Sequence, residues 1–359
     1  MITALNYIGG DNDRGGIVSV VRALASAGRY ECLLGVNPGF AQRREPPLKT
    51  AAFPAIPAES IDMRTLVRSR TVAKSVRSWL HEDPSRVYHG RSRAGLMVAL
   101  WLRLMGEKRA VATVHCLGRQ RWFYRAAAAI LGPRLYWLGP SMKRYYGLAD
   151  GTWSGCLPDC VPEEAFASPP AIWGGRRPAR FGCAGTLLPW KQWELVLQAL
   201  ARIPSDKAVR VRHAGGEDGT AASAEYAGRL RRLAKELGVE GRVDWLGEIA
   251  DMRPFYAEVD CLISSSSREP NSIAVLEAAA AGIPVLASDA SSTGDLVVRA
   301  GLGRVFAADS PDALASQMTE FASDGGWGPT RRDEGAMAAF TAPVAAQAHL
   351  EVYRLLISA

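Results

Sequence analysis

The sequence predicts an α/β protein made of two doubly wound domains, each with a parallel sheet between layers of helices. The chain has 359 residues, which is longer than one typical domain core. Short apolar runs alternate with helical patterns through both halves, and this alternation is typical of parallel sheets. A stretch rich in Pro and Gly, 167–179, separates the halves and predicts a linker.

The elements of the first half follow from two patterns. Short apolar runs bounded by turn residues predict strands, and apolar residues spaced three or four apart predict helices. In chain order they are strand 2–8, helix 17–28, strand 30–36, a Pro-rich loop, the basic helix 63–80, strand 86–90, helix 95–106 and strand 110–115.

The second half repeats this alternation. Its predicted elements are strand 180–185, helix 193–200, strand 209–215, helix 226–238, strand 243–247, helix 252–259, strand 260–264, helix 273–281 and strand 284–289. The last segment, 341–359, has apolar residues at helical spacing that suit packing on either domain.

We therefore expect an N-terminal domain over 1–168, a second domain over 178–335 and, within 336–359, a helix that packs back on the first. In doubly wound sheets, ligands bind at the carboxyl ends of the strands. The two domains should face a central cleft, lined by the loops that carry the motifs described below.

Charge is distributed unevenly along the chain. Residues 1–168 contain 23 Lys and Arg against 13 Asp and Glu, a balance of +10, whereas the remainder contains 20 against 23, a balance of −3. A basic half suits nucleic acid, an anionic membrane or a phosphorylated substrate. The longest apolar run, Ala94–Leu102, is far shorter than the roughly 20 residues that cross a bilayer, and the N-terminus reads as a strand. We expect a cytoplasmic protein with reduced cysteines.

The segment SREPNSIAVLEAAAAGIPVLASD, residues 267–289, places two glutamates where a strand turns into a helix. Ser272 suits the N-cap of a helix that begins at Ile273. The loop before it faces the positive end of the helix with free backbone N–H groups, which suits phosphate. Glu269 and Glu277 would then accept hydrogen bonds from sugar hydroxyls. Alternatively, the first is solvated and the second pairs with an arginine.

This segment resembles the E-x7-E signature of the retaining family 4 glycosyltransferases, which have two Rossmann-like domains in the GT-B fold. The resemblance continues through FGCAGTLLPWKQWELVLQAL, VRHAGGEDG and LAKELGVEGRVDWLGEIADMRPFYAEVDCLIS, and it covers most of 178–300. It implies that Glu269 contacts the donor sugar and that Glu277 binds the ribose of the nucleotide. The residues that it implies near phosphate or sugar are Asn271, Ser272 and Ile273.

The family also binds the diphosphate with an Arg and a Lys, in a pattern close to G-R-L-x-x-x-K-G. Lys191 matches the Lys and would stabilise the departing diphosphate, whereas Thr186 replaces the Arg. Arg268 is a candidate for the missing charge. Family members usually carry Gly-Phe-Gly after the first Glu, and Pro-Asn-Ser at 270–272 alters the sugar pocket here. Ile249, after the third strand of this domain, is the predicted contact to the base.

In the first half, Gly15 and Gly16 lie between a strand and a helix without forming a dinucleotide fingerprint. The resemblance makes them the glycine loop near the donor phosphates. It also makes His115, at a strand end, an active-site residue that orients hydroxyls; a solitary histidine there is otherwise structural. The segment VYHGRSRAG matches another strand end, for which the resemblance implies three acceptor-side residues: His89, Arg91 and Arg93.

Two basic stretches, 63–80 and 119–137, interleave arginines with apolar and aromatic residues. Both suit docking on an anionic membrane surface that presents lipid-linked acceptors. The alternative is a solvated helix face over an ordinary core. Neither stretch resembles a nucleic-acid-binding motif.

Together these features predict a retaining glycosyltransferase that moves a sugar from a nucleotide-diphosphate sugar to a hydroxyl of a glycan or lipid-linked acceptor, in cell-surface polysaccharide biosynthesis. It would need no obligatory metal, because Lys191 and the helix N-terminus carry the diphosphate charge. We expect it at the inner face of the membrane. Two alternatives stay open: a sugar-nucleotide epimerase of the same fold, and a non-catalytic nucleotide-sugar-binding subunit, prompted by Thr186.

Overall fold

The chain forms two compact units. The computed structural model describes residues 1–13, 15–57, 61–148, 155–162, 165, 178–323, 326–327 and 333–358. The units are Met1–Glu163 together with Ala339–Ala359, and Glu164–Ala338. Each contains one six-stranded sheet with helices packed on it, which confirms the predicted class of two doubly wound domains. Most of the predicted linker 167–179 lies outside the described residues.

The first unit is built on a parallel sheet. Its elements are β1 (Thr3–Tyr7), α1 (Gly16–Ser26), β2 (Glu31–Val36), β3 (Thr50–Ala52), α2 (Met63–His81), β4 (Arg86–Gly90), α3 (Arg93–Leu104), β5 (Ala110–Val114), α4 (Arg121–Leu131), β6 (Leu135–Trp137), α5 (Ser141–Tyr146) and α13 (Ala342–Ser358). The strands pair in the order β3-β2-β1-β4-β5-β6.

Helices cover both faces of this sheet. Leu5 and Tyr7 of β1 pack in one apolar cluster with α2, α3 and α4. Helix α1 packs in a second cluster with Leu34 and Val36 of β2, and also against α13. Because successive side chains of a strand point to opposite faces, His89 of β4 points away from the α2–α4 layer.

Buried polar side chains tie α13 to the sheet. His89 Nδ1 lies 2.7 Å from Tyr353 Oη, and His89 Nε2 lies 2.7 Å from Thr113 Oγ1. The ring of His349, one helical turn before Tyr353, lies 5.5 Å from the ring of His89. The last helix is therefore held in the first unit by side chains of β4 and β5.

Three buried histidines stay neutral in the folded protein. Burial, followed by the charge of Arg91, holds the pKa of His89 and His349 well below the ordinary 6.5. Burial also lowers the pKa of His213, in the second unit, to about 3. The unfolded chain takes up these protons near pH 6.5. The histidines therefore stabilise the fold fully above about pH 6.5, and this stability is lost as pH falls toward the folded pKa values.

We expect the free energy of unfolding to fall by about 2 kcal/mol for each of these histidines between about pH 7.5 and about pH 5. The His213 ring lies 4.8 Å from the ring of Trp193 and 5.4 Å from that of Trp245, and an aromatic Phe ring in its place takes up no proton. Between the two pH values, the free energy of unfolding of the His213→Phe variant should therefore fall by about 2 kcal/mol less than that of the native protein. Denaturant unfolding of both proteins at the two pH values measures this, and an equal loss in both would contradict it.

The second unit contains the other sheet. Its elements are β7 (Ala179–Ala184), α6 (Trp193–Arg202), β8 (Val209–Ala214), α7 (Ala221–Glu236), β9 (Val243–Gly247), α8 (Arg253–Glu258), β10 (Cys261–Ser264), α9 (Ile273–Ala280), β11 (Val285–Ser288), α10 (Ser292–Arg299), β12 (Gly303–Phe306), α11 (Pro311–Ser323) and α12 (Glu334–Ala338). The parallel strands pair in the order β12-β11-β10-β7-β8-β9.

The strand order of this sheet reverses at β7. The chain adds β8 and β9 on one side of β7 and then β10 to β12 on the other. In doubly wound sheets, ligands bind at such a reversal, outside the carboxyl ends of the strands. The topology therefore predicts a ligand site at the loops after β7 and β10.

The predicted elements are all present, although α7 begins at Ala221 rather than at 226. The sequence pattern does not predict the short strands β3, β6 and β12, which lie at sheet edges. Among the described helices, none is long and apolar enough to cross a bilayer. All six cysteines lie in the described part of the chain and are free.

Candidate active site

A pocket lies at the reversal of the second sheet, between the carboxyl ends of β7 and β10. It is small, with about 180 Å³ of empty volume, and its lining combines apolar strand ends with a few polar side chains. The lining residues are Ala184, Lys191, Trp193, Leu262, Ile263, Ser264, Ser266, Glu269, Ser272 and Ala274. Three predicted site residues, Lys191, Glu269 and Ser272, therefore meet in one pocket.

Lys191 and Glu269 form the charged centre of this pocket. Lys191 Nζ lies 2.8 and 2.9 Å from the two Glu269 carboxylate oxygens, and both side chains are buried. Ser266 Oγ donates to Glu269 Oε2 at 2.7 Å. Gly185 leaves room for the lysine, because a methyl group there would lie 3.3 Å from Lys191 Cε. The lysine predicted for the diphosphate and the glutamate predicted for the sugar are thus paired with each other.

Short contacts hold the two loops that carry this pair. Lys191 ends a 3-10 turn that begins at Pro189. Ser265 Oγ donates to the Lys191 carbonyl oxygen at 2.7 Å, and the Ser267 N–H donates to the Trp190 carbonyl oxygen at 2.9 Å. The Trp190 ring centroid lies 4.4 Å from Lys191 Nζ, a cation–π distance. The loop after β7 is therefore fastened to the loop after β10.

Helix α9 begins at Ile273, as the capping pattern predicts, with Ser272 at the N-cap position. The Ser272 side chain makes no capping hydrogen bond, so the first N–H groups of the helix keep their capacity to donate. Asn271 Nδ2 is buried and has no hydrogen-bond partner among the described residues. Unpaired donors at the positive end of a helix suit an anion or a sugar oxygen.

Glu277 lies one turn into α9 and is half-buried. Tyr256 Oη of α8 donates to Glu277 Oε2 at 2.7 Å. Burial and then the neighbouring carboxylate raise the pKa of Tyr256 well above its ordinary value, so that the hydroxyl stays protonated. Tyr256 therefore stabilises the Glu277 carboxylate in its apolar surroundings and fixes one of its oxygens.

Three further predicted residues lie on loops of this unit outside the pocket lining. Thr186 is half-buried just after β7, and its carbonyl oxygen accepts from Trp193 Nε1 at 3.2 Å. The half-buried Arg268 side chain makes no hydrogen bond or ion pair with another described residue. Ile249 is half-buried in the loop after β9.

In the first unit, Gly15 and Gly16 lie exposed at the N-terminus of α1. Gly15 has a φ of 92°, a value that favours glycine, and no atom lies within 4 Å of the place that a Cβ would take there.

His115 follows β5 and is half-buried, with its side chain 5% exposed. Its Nδ1 lies 3.1 Å from Asp159 Oδ1, which is an ion-pair distance without the alignment of a hydrogen bond. His115 Nε2 has no hydrogen-bond partner among the described residues. Asp159 thus lies against one edge of the ring, and the nitrogen at the other edge is a buried polar atom without a described partner.

The three predicted acceptor-side residues differ in accessibility. Both ring nitrogens of His89 are used inside the core, and Arg91 is buried with its Nε donating to Asn6 Oδ1 at 2.8 Å. Arg93 is half-buried at the first position of α3, beside Tyr124. We retain only Arg93 for the acceptor, because burial removes the other two from contact with a ligand.

The sequence pattern does not single out three partners of the predicted residues: Tyr256, Ser266 and Asp159. A signal exists for Ser266, since Ser264–Ser267 is a run of serines directly after an apolar strand. Tyr256 has no local signal, because its partner lies 21 residues along the chain on another helix.

Comparison with known proteins finds a family match within the second unit. Residues 176–338 match the family described as Glycosyl transferases group 1. The chain is 38% identical over 104 residues to the lipopolysaccharide core biosynthesis glycosyltransferase LpsE of Rhizobium meliloti (strain 1021), a match that covers 29% of this chain and 28% of that protein. The chain thus spans less than a third of the length of this relative. The predicted resemblance to a glycosyltransferase family is confirmed for this part of the chain.

Solved structures resemble the whole chain. Sucrose-phosphate synthase from Thermosynechococcus elongatus matches with a TM-score of 0.81 and 18% identity, over 100% of both chains. Anabaena Alr3699/HepE in complex with UDP-glucose matches with a TM-score of 0.73 and 18% identity, over 100% of this chain and 98% of that chain. At such identities the likeness concerns the fold, and the predicted GT-B class is confirmed.

Proposed function

From the match of residues 176–338 to glycosyl transferases group 1, we propose that this protein is a retaining glycosyltransferase that uses a nucleotide-diphosphate sugar. Its acceptor is a hydroxyl of a glycan or lipid-linked sugar in cell-surface polysaccharide synthesis, as the name of the Rhizobium meliloti relative suggests. The observation that carries the proposal is the pocket at the reversal of the second sheet, which joins the Lys191–Glu269 pair to the uncapped start of α9.

The charge in this pocket suits a diphosphate leaving group. Negative charge grows on the diphosphate as the glycosidic bond breaks, and donors that are already in place stabilise it. A lysine has three N–H donors, and Lys191 directs two contacts to Glu269. The third N–H and the first N–H groups of α9 serve the phosphate oxygens, so the proposal needs no metal ion.

The two glutamates take different parts in this proposal. Glu269, held by Lys191 and Ser266, accepts hydrogen bonds from the donor sugar. Glu277, oriented by its hydrogen bond from Tyr256, accepts from the ribose hydroxyls. Among the described residues that line the pocket, Glu269 alone is a carboxylate, and it is already paired. This favours front-face attack, in which a leaving phosphate oxygen takes the acceptor proton, over a double displacement.

Residues of both units complete the assignment. Asn271 Nδ2 supplies a further donor for the sugar or phosphate. In the first unit, we assign the N–H groups at Gly15 and Gly16 to the donor phosphates. We assign His115 Nε2, together with Arg93, to the acceptor hydroxyl and its neighbours.

A thermal-shift screen tests the donor assignment. The full chain is melted with UDP-, GDP-, ADP-, CMP- and dTDP-sugars, and we expect one nucleotide class to raise the melting temperature by about 5 °C or more at 100-fold excess over Kd. The product formed with that donor should keep the anomeric configuration of the donor sugar. Absence of any shift across the series would overturn the proposal. Free epimerised sugar from donor alone would favour an epimerase, and binding without transfer to cell-derived acceptors would favour a binding subunit.

Replacing Glu277 by Ala should raise the Kd for the nucleotide by about tenfold or more, since a carboxylate–hydroxyl pair is lost. The nucleotide used is the one that raises the melting temperature of the native protein. Isothermal titration of the free nucleoside diphosphate measures this without any acceptor. Glu225→Ala is the matched control, because Glu225 is exposed on α7 of the same unit. Equal affinity of the Glu277→Ala variant and this control would refute the ribose assignment.

A further inference from the structure

Helices α2 and α4 of the first unit present an exposed face that the proposed chemistry does not use. They lie on either side of α3 in one layer. Gln120 Nε2, at the start of α4, donates to the Ile61 carbonyl oxygen before α2 at 3.4 Å. We call the outward side chains of the two helices the α2–α4 surface; they are Met63, Arg64, Val67, Arg68, Arg70, Lys74 and Arg77 on α2, and Arg121, Trp122, Arg125 and Ile130 on α4.

This surface is strongly positive, although the exposed Asp62 lies beside it at the N-cap of α2. Between residues 63 and 146 the chain contains 17 Lys and Arg but 3 Asp and Glu. The three acids, Glu82, Asp83 and Glu107, lie outside both helices. Exposed helices ordinarily mix both signs and form pairs one turn apart. Helices α2 and α4 contain no acidic residues that could neutralise their basic side chains, so an anionic partner would supply the opposite charge.

Large apolar side chains stand among these charges. Trp122 is 67% exposed, Met63 71% and Val67 62%. Met63 and Val67 lie one turn apart on α2, and the Gln120–Ile61 hydrogen bond brings the start of α4 to the same end of the layer. Exposed Trp and aliphatic tips within a basic rim are the composition of helices that lie in a membrane interface.

We propose that the α2–α4 surface binds an anionic phospholipid bilayer, with Trp122, Met63 and Val67 inserted among the headgroups and the arginines on the lipid phosphates. Charge complementarity requires an anionic partner. The apolar tips favour a bilayer over nucleic acid, because a phosphate backbone offers Met and Val no apolar layer. This inference goes beyond the proposed chemistry and does not depend on it, since the nucleotide pocket lies in the other unit.

Co-sedimentation of the full chain with vesicles tests the proposal. We expect binding to phosphatidylcholine vesicles that contain phosphatidylglycerol, weakening with added salt, and little binding to phosphatidylcholine alone. The double variant Arg64→Glu with Arg68→Glu should bind more than tenfold more weakly, since each basic residue contributes about fivefold near such a surface. Trp122→Ser should lower binding by about tenfold.

Matched control variants lie in the second unit. Arg231→Glu with Arg232→Glu makes the same charge change on exposed positions of α7. Val298→Ser removes an apolar side chain that is equally exposed on α10. Both controls should bind vesicles as the native protein does, and all variants should keep its melting temperature and its nucleotide thermal shift.

Two results would overturn the proposal. One is binding that does not depend on phosphatidylglycerol or that the α2–α4 variants leave unchanged relative to the controls. The other is tight binding to a single-stranded RNA probe without binding to vesicles, which would assign the surface to nucleic acid. Neither result bears on the nucleotide screen, so the outcome of that screen is judged separately.

Discussion

Replacing Lys191 by Ala is expected to abolish sugar transfer and to lower the free energy of unfolding by about 3–5 kcal/mol. The reason is the pair that it forms with Glu269 inside the pocket, where both side chains are buried. Removing one partner leaves a buried charge without compensation, and the desolvation cost of that charge then falls on the folded state. The same substitution removes the positive charge assigned to the departing diphosphate.

A double-mutant cycle separates the pair from the individual residues. The variants are Lys191→Met, Glu269→Gln and their combination, and denaturant unfolding measures each of them. We expect the combination to cost less than the sum of the single changes, because it leaves no unpaired charge. Lys207→Ala, at an exposed lysine of the same unit, is the control and should change stability by less than about 0.5 kcal/mol. Additive costs would contradict the coupling.

Replacing Gly215 by Ala is expected to lower the free energy of unfolding by about 3 kcal/mol or more. A Cβ at Gly215 would lie 2.0 Å from the carbonyl oxygen of Gly185, and the backbone of Gly215 has a φ of 138°. The close approach is part of the site, because the Gly185 N–H donates to the Ala214 carbonyl oxygen at 2.8 Å and Gly185 also borders Lys191. Moving the strand ends apart should therefore displace the lysine and weaken nucleotide binding.

Gly241→Ala is the matched control, since no atom lies within 4 Å of the Cβ that it would add and its φ is not in the left-handed region. It should change stability by less than about 0.5 kcal/mol. Thermal and denaturant unfolding of both variants, together with nucleotide titration, measure the effects. If Gly215→Ala unfolded like the control, the close approach of the two strand ends would not be a constraint on the fold.

The fold could be predicted from the sequence where residues close in the chain carry the signal. Central strands such as β1, β4 and β10 are apolar because helices or neighbouring strands cover them on all sides, so their runs are easily seen. The edge strands β3, β6 and β12 have only three or four residues and pair on one side, so even the apolar run of β6 is too short to distinguish a strand. The linker at 167–179 stays a prediction.

The candidate site was named from the same kind of local signal, and the roles of its residues stay predictions. The capping pattern around Ser272 and the resemblance of 178–300 to a glycosyltransferase family were enough to name Lys191, Glu269 and Glu277. Both signals come from contiguous residues, and the family match of 176–338 agrees with them. The burial of His89 and Arg91 was not predictable. The local sequence around a strand-end histidine is the same whether its ring binds a ligand or a hydroxyl group in the core.

The sequence by itself determined the alternation of the central strands with their helices, the start of α9 and the identity of the charged residues near it. Only the tertiary structure decided that Lys191 pairs with Glu269, 78 positions away, that Tyr256 holds Glu277, and that His89 is enclosed by α13. The physical reason is the separation along the chain of the residues that interact. Helix periodicity and capping depend on neighbours within a few residues, whereas burial and the pairing of charges depend on which distant segments the sheet brings together.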